Sequence, residues 1–314
     1  MSAAGARRWR RAGPARGVVV LGMHRSGTSA ATRLLADLGL GLCPPGDRVR
    51  GPWNPNGHYE SRTLMHLDND LLRQMGCTWW YPPPAGPAYG AAAARLTTTP
   101  AQARRVFRRV HGRGPWVWKD PRAAVLVPLW RAALGPRLAA LVVVRNPLEV
   151  ALSLQRRHGV PPSFGVALWE RYNRLLLEHS AGLAVLVTRF DDLVADPGAW
   201  SATAGRFLAS VGLTPAGTGT GASSFVDPGL RHARRERRDV AGAAPRALPL
   251  YDALLGALGP SAAFVSPPLD EEDPAVQAEL DTVGPGTELP WHPPSAPAPT
   301  EEDGTAVAGT EGAS

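Results

Sequence analysis

The chain has 314 residues, of which 44% are hydrophobic and 19% are charged, and its formal net charge is +7. This length supports a complete hydrophobic core without metal or disulfide, and the composition excludes a chain that is disordered throughout. The only two cysteines, Cys43 and Cys77, exclude a disulfide framework and lack the C-x-x-C spacing of a zinc module.

The charge is distributed unevenly. After residue 246 there are 12 acidic residues and no lysine or arginine, so residues 1–246 hold 34 basic and 15 acidic side chains, a net charge of +19. This positive charge over residues 1–246 favours an anionic partner, which could be nucleic acid, a phosphorylated cofactor or an anionic substrate. The apolar run at residues 18–21 is shorter than the roughly 7–15 residues of a signal-peptide core. No run reaches the roughly 20 residues that span a bilayer. We therefore expect a cytoplasmic protein without a membrane anchor.

The first predicted strand, residues 17–21, leads into Gly22-Met-His-Arg-Ser-Gly-Thr-Ser29 and a helix predicted over residues 28–40. A G-x-x-x-x-G frame between strand and helix is typical of a loop whose backbone N–H groups surround a phosphate. A nucleoside triphosphatase needs lysine after the second glycine, but Thr28 stands there and the positive charge lies inside the loop, at Arg25. The frame predicts a phosphate loop unsuited to ATP hydrolysis; a glycine-rich turn without ligand is the alternative.

The segment Asn54-Pro-Asn-Gly-His-Tyr-Glu-Ser61 lies at the end of a predicted loop, and Ser61 can cap the helix that follows. Glu60 stands just before that helix, where a carboxylate is either a capping charge or a general base. His58 competes with it for the role of base. Trp53, Trp79, Trp80, Tyr81 and Tyr89, in this loop and in another predicted over residues 79–94, suggest an apolar or glycan-stacking pocket.

A short predicted strand, residues 116–118, leads into Lys119-Asp-Pro-Arg122 and an apolar helix predicted over Ala123–Leu134. Lys119 is the only lysine in the chain, against 33 arginines. A lysine at a strand end supplies a compact point charge, which indicates a functional position. The alternative is a surface lysine paired with Asp120.

The strongest predicted strand, Leu138–Val144, ends at Arg145, and Pro147 suits the first position of the next helix. Ser153 lies eight residues after Arg145, about two helical turns, so both side chains can face the same side. A guanidinium and a hydroxyl suit a second phosphate. An ordinary ion pair of Arg145 is the alternative. A helix over residues 163–181 and a strand over residues 183–187 follow.

Strand and helix alternate at least four times, which predicts an α/β fold with three layers, similar to P-loop folds, in which helices flank a central parallel sheet. Ligands bind such sheets at the carboxyl ends of the strands, where the four motifs lie. We expect one domain over residues 16–265. Residues 1–15 are expected to form a flexible basic arm, and residues 266–314 a disordered, acidic, Pro-rich tail.

The combination of G-M-H-R-S-G-T-S, N-P-N-G-H-Y-E, K-D-P-R and V-V-V-R-N-P with a later serine resembles the sulfotransferase superfamily over residues 17–210. It is similar to the bacterial branch and to the Golgi tyrosylprotein and heparan sulfotransferases. The resemblance implies 3′-phosphoadenosine 5′-phosphosulfate (PAPS) as sulfonate donor, with no metal required. It also implies site residues for the two ends of PAPS: for the 5′-phosphosulfate Arg25, Ser26, Gly27, Thr28 and Ser29, and for the 3′-phosphate Arg145 and Ser153.

The catalytic residues implied by the resemblance are Glu60 as base, with His58 as second choice, and Lys119 with Arg25 at the transferring group. The C-terminal Arg-Lys-Gly loop that cytosolic members use for the 3′-phosphate is missing here; its candidate replacements are Arg231, Arg234 and Arg235. The expected partner is a small-molecule or glycan acceptor, with no specific nucleic acid. Two other functions stay open: an atypical P-loop kinase or nucleotidase, and a catalytically inactive member that binds an anion or nucleic acid.

Overall fold

The computed structural model describes residues 16–50, 58–214, 234–287 and 289. Within them the chain forms five strands: β1 (Gly17–Leu21), β2 (Trp116–Lys119), β3 (Leu138–Val144), β4 (Ala184–Arg189) and β5 (Gly259–Ser261). The helices of the first half are α1 (Thr28–Asp37), α2 (Arg62–Gln74), α3 (Pro87–Ala93), α4 (Pro100–His111), α5 (Ala123–Leu134) and α6 (Pro147–His158). Those of the second half are α7 (Pro162–Ser180), α8 (Phe190–Ala195), α9 (Pro197–Ser210), α10 (Arg237–Ala243), α11 (Leu248–Gly256) and α12 (Pro274–Asp281).

The strands form one sheet in the order β2-β1-β3-β4-β5. The first four are parallel, with Leu21 of β1 opposite Val142 of β3, and β5 runs antiparallel to β4 at the edge. Because parallel strands end at one edge, the loops after β1, β2 and β3 lie side by side. The predicted α/β fold is confirmed, and the antiparallel edge strand β5 is an element that the sequence did not predict.

Helices cover both faces of the sheet, which explains why β1 and β3 are apolar at every position. All residues of both strands are buried, as expected for strands without a solvated face. One face packs against a cluster that includes Leu34 of α1 and Phe207 of α9. The opposite face packs against a larger cluster with Trp130 of α5 and Trp169 of α7. The three predicted layers are present.

The capping residues that the sequence predicted lie at the observed starts of two helices. The Ser61 hydroxyl accepts a hydrogen bond from the Leu64 N–H at 3.1 Å, so the predicted cap of α2 is confirmed. Pro147 is the first residue of α6, as predicted, and Asn146 caps that helix. The helix after the phosphate loop ends at Asp37, three residues before the predicted end at residue 40. The helices α3 and α4 were not predicted, and α3 lies within the segment expected to be loop.

The structure corrects the domain boundary at residue 265. Residues 266–287 were assigned to a disordered tail, but they contain α12, which packs against α7 with Val276 and Leu280 fully buried. Glu272 pairs at 2.7 Å with Arg171 of α7, whose exposure is 0%. A proline-rich, acidic composition concealed the two apolar residues that anchor this segment. The predicted arm and the end of the tail lie outside the described residues. No helix in the described ranges is long and apolar enough to cross a membrane.

Candidate active site

The loop between β1 and α1 has the backbone shape of an anion-binding loop. Arg25 and Gly27 have positive φ angles of 71° and 89°, and α1 begins at Thr28. The first N–H groups of a helix have no partner within the helix and therefore face the loop. A Cβ atom at Gly27 would lie 2.1 Å from a ring carbon of Phe190, so only glycine fits this position. Ser26 and Thr28 are buried, and Ser29 donates to the His58 carbonyl at 3.4 Å.

Arg25 is the residue at which the two predicted phosphate sites meet. Its Nε donates to the Ser153 hydroxyl at 3.0 Å, and Nη1 of Arg145 donates to the Arg25 carbonyl at 2.9 Å. Burial, with the positive charges of Arg157, Arg145 and Arg156, lowers the pKa of Arg25 to about 10. Arg25 therefore stays charged at neutral pH, and a bound anion would relieve the repulsion that it experiences.

Arg145 lies in a fixed position beside this loop. It forms an ion pair with the fully buried Glu149 at 2.9 Å, and its guanidinium lies 4.3 Å from the Phe190 ring centre. The ion pair considered as an alternative role is thus present, and it also orients Arg145 toward the loop. Glu149 accepts from the Arg235 N–H at 2.9 Å, which brings the segment from residue 234 beside the second predicted site. Arg231 lies outside the described residues.

A cavity of about 420 Å³ opens beside the phosphate loop. Three predicted site residues line it, Arg25, His58 and Glu60. The other lining residues come from several elements: His24, Val49, Met65, Trp79, Trp80, Arg122, Leu154, Arg157, His158 and Leu289. Of the aromatic residues predicted to form an acceptor pocket, Trp79 and Trp80 line this cavity. Tyr89 instead is buried and donates to the Val125 carbonyl, Tyr81 bonds Asp281, and Trp53 lies outside the described residues.

Glu60 and Lys119 form a buried ion pair at the cavity, with Nζ 2.5 Å from Oε1. Backbone pairing positions Glu60, because its carbonyl accepts from the Val49 N–H at 2.9 Å. Burial would raise the pKa of Glu60, but the charges of Lys119 and Arg122 outweigh it and lower the pKa. Lys119 is 2% exposed, so the surface alternative for this lysine is wrong. Its carboxylate partner is Glu60, whereas Asp120 pairs with Arg122.

Two histidines at the cavity are uncharged at neutral pH. Burial and the nearby Lys119 lower the pKa of His58 to about 4. Burial and Arg122 hold the pKa of His24 well below its usual value, and its ring contacts Trp79 in a tilted arrangement, with centroids 4.5 Å apart and an interplanar angle of 40°. Neutral imidazoles accept protons, so both His58 and the ionised Glu60 are chemically able to act as a base.

Arg122 and Arg157 are lining cations to which the sequence analysis assigned no role. Arg122 is the last residue of the K-D-P-R motif, so its place in the motif that begins at Lys119 was the available signal. Arg157 follows Ser153 by four residues, a spacing that places both on one face of α6. That spacing was the available signal for Arg157.

No protein-family model and no curated protein sequence matches the chain. Among solved structures, the sulfotransferase domain of the Synechococcus PCC 7002 olefin synthase is similar at 17% identity and a TM-score of 0.43, covering 87% of this chain and 96% of that one. The sulfotransferase domain from the curacin biosynthetic pathway is similar at 16% identity and a TM-score of 0.40, covering 88% and 99%. A sulfotransferase from Alicyclobacillus acidocaldarius is similar at 16% identity and a TM-score of 0.39, covering 76% and 95%.

Proposed function

We propose that the chain transfers a sulfonate group from PAPS to a hydroxyl or amine of a small-molecule or glycan acceptor. The observation that carries this proposal is the position of Arg25, a half-buried cation inside a phosphate-loop backbone with Arg145 and Arg157 close enough to lower its pKa. A site with this much positive charge is poorly occupied by a neutral ligand. It suits a ligand that carries several negative charges, as PAPS does.

The residues around the loop also suit a ligand with phosphates at both ends of its ribose. We assign the 5′-phosphosulfate to the loop from Arg25 to Ser29 and the 3′-phosphate to Arg145 and Ser153. The pair with Glu149 holds the planar guanidinium of Arg145 in one direction, which favours a specific anion geometry. The hydroxyl of Ser153 already accepts a bond from Arg25, and a hydroxyl both donates and accepts.

The chemistry assigned to the chain is in-line transfer, for which PAPS supplies an activated sulfonate. Glu60 would take the proton of the attacking acceptor, and His58 is the second choice for this base. Lys119 and Arg25 would stabilise the negative charge that develops on the sulfonate and on the departing phosphate oxygen. Because Lys119 bonds Glu60 at 2.5 Å, one contact positions the base and the cation together.

The experiment that tests this function follows a radioactive sulfonate label. The purified chain is incubated with ³⁵S-labelled PAPS and separate panels of phenols, amines and glycans, and labelled products are separated by chromatography. The proposal expects label on at least one acceptor class, with loss of transfer in Lys119→Ala. Parallel incubation with ATP and Mg²⁺ tests the kinase or nucleotidase alternative. Nucleotide turnover there, with no PAPS consumption, would refute the proposal.

A further inference from the structure

A chain of buried polar side chains leads from the core to the cavity and ends at Arg122. The guanidinium of Arg122 donates from Nη1 to Asp120 at 3.0 Å and from Nε to Asn69 at 2.6 Å. The backbone N–H of Arg122 also donates to Asp120, at 2.9 Å. On the cavity side, Nη1 lies 3.9 Å from a carboxylate oxygen of Glu60. Three groups therefore fix one arginine at the wall of the cavity.

Behind Arg122, two buried carboxyl groups lie against each other. Asp68 of α2 and Asp120 are 0% and 1% exposed, and their side chains are within hydrogen-bonding reach. Oδ1 of Asp68 accepts from the indole N–H of Trp130 at 2.9 Å. Within the described ranges, no N–H or hydroxyl donor bonds Oδ2 of either carboxyl group. Two such oxygens cannot both be ionised acceptors, so one proton shared between them satisfies both.

The position of that proton follows from the partners of each carboxyl group. Burial and the charge of Glu60 raise the pKa of Asp120, whereas the permanent charge of Arg122, 3.0 Å away, acts in the opposite direction and favours the ionised form of Asp120. Asp68 faces the neutral indole of Trp130 and the charge of Asp120. Burial and the Asp120 charge raise the pKa of Asp68 well above its usual range, although Arg122 acts in the opposite direction. The other titratable groups close to the pair are Glu60, whose charge acts on Asp120, and the buried phenol of Tyr172 on α7.

We propose that Arg122 is a further anion-binding residue of the cavity, and that a protonated Asp68 and an ionised Asp120 are the positioning residues that present it. This inference rests on the proposed function for its ligand, the phosphosulfate group. In that role Arg122 binds the transferring group beside Glu60. The protonated carboxyl group of Asp68 donates a hydrogen bond to Asp120, and Asp120 keeps one full negative charge against Arg122.

The first test measures anion affinity by calorimetry, with PAPS and inorganic pyrophosphate as separate probes. Arg122→Ala removes a charge-assisted contact and should weaken PAPS about tenfold to a hundredfold. The matched control is Arg73→Ala on α2, whose side chain is 68% exposed and which should leave affinity unchanged. Unchanged PAPS affinity in Arg122→Ala would overturn the proposal while leaving the proposed function intact. A wild type that binds pyrophosphate but not PAPS would refute the proposed function. In that case the effect of Arg122→Ala is measured as the change in affinity for pyrophosphate. Failure to bind either anion would refute both.

The second test distinguishes a positioning proton from mere packing. Asp68→Asn can reproduce the protonated acid, because its amide donates to Asp120 and its carbonyl accepts from Trp130. Asp68→Ala should lower the affinity for the anion that the wild type binds, PAPS or pyrophosphate, by about tenfold. Asp68→Asn should bind that anion as tightly as the wild type does. Equal loss in both variants would show that Asp68 acts as a charge and would overturn the assignment.

A third test needs no ligand, because it measures the equilibrium constant of unfolding as a function of pH. A buried acid with a raised pKa keeps its proton when folded and releases it when unfolded. The unfolding constant of the wild type should therefore rise by up to about tenfold per pH unit relative to Asp68→Asn, above about pH 4. Parallel pH dependence of the two proteins would contradict a protonated Asp68.

Discussion

Replacing Glu272 with glutamine tests whether the segment before residue 287 belongs to the folded domain. The Arg171 guanidinium is fully buried, and Glu272, which it contacts at 2.7 Å, is the carboxylate that balances its charge. Removing one partner of a buried ion pair costs about 3–5 kcal/mol, and glutamine keeps one hydrogen-bond acceptor, so the lower end applies. In a domain of this size, about 3 kcal/mol corresponds to a fall in melting temperature of roughly 6–12 °C.

The assay is thermal unfolding followed by circular dichroism, with Asp252→Asn as the matched control. Asp252 pairs with Arg237, but both side chains are more than a third exposed, at 39% and 57%, so water screens their interaction. The control should therefore shift the melting temperature far less than Glu272→Gln. Equal shifts in the two variants, or a shift below about 3 °C for Glu272→Gln, would refute the argument that this segment is part of the core.

Four further predictions concern the candidate active site. Lys119→Ala should lower sulfonate transfer on the order of 10²–10³-fold with little change in PAPS affinity, because it removes one preorganised charge; unchanged transfer in a kinetic assay would remove Lys119 from the mechanism. Arg145→Ala should lower the affinity for adenosine 3′,5′-bisphosphate about tenfold to a hundredfold but hardly change that for adenosine 5′-phosphate. Equal losses for the two nucleotides in calorimetry would show that Arg145 has only a structural role. Gly27→Ala should abolish binding of both nucleotides because its Cβ would collide with the Phe190 ring; retained affinity would contradict the loop geometry. Because the pKa of Glu60 is lowered and that of His58 is about 4, transfer should be constant from about pH 5.5 to 8 and fall in more acid buffer, whereas a profile rising near pH 6.5 would indicate an unperturbed histidine base.

The fold was predictable where burial or local chemistry leaves a pattern in the sequence. Strand β3 is apolar at every position because both its faces are covered, and a serine or proline marks the start of α2 and α6. Helix α4 carried a comparable signal that was missed. Thr99 and Gln102 form a capping box at its start, with the Thr99 hydroxyl accepting from the Gln102 N–H at 3.3 Å.

Helix α12 was concealed for a different reason. It is eight residues long and follows a proline-rich acidic stretch, so average composition indicated disorder. Its stability depends on tertiary contacts, burial of Leu280 and the pairing of Glu272 with Arg171, which lies about 100 residues earlier in the chain. Short helices gain most of their stability from such packing, and composition does not report it.

Several of the predicted site residues line or adjoin one cavity, but the contacts between them could not be read from the sequence. Arg25 and Ser153 were predicted to bind different phosphates, and in the structure they are joined by a 3.0 Å hydrogen bond. Glu60 and Lys119 belong to separate sequence motifs, and in the structure they form an ion pair. Strand order explains this result, because β1, β2 and β3 are neighbours in the sheet although their motifs are far apart in sequence. Arg157 was not predicted as a site residue, although its four-residue spacing from Ser153 on α6 indicated that the two side chains lie on one face.

The most direct test of the account is a calorimetric titration of the wild-type chain with three nucleotides. Adenosine 3′,5′-bisphosphate presents both phosphates of the proposed donor, adenosine 5′-phosphate lacks the 3′ group, and ATP with Mg²⁺ represents the kinase or nucleotidase alternative. We predict that the bisphosphate binds at least tenfold more tightly, to an order of magnitude, than either of the other nucleotides, since only it would reach Arg145 and Ser153 as well as the phosphate loop. Equal affinity for the three nucleotides, or a preference for ATP with Mg²⁺, would contradict the assignment of a PAPS site.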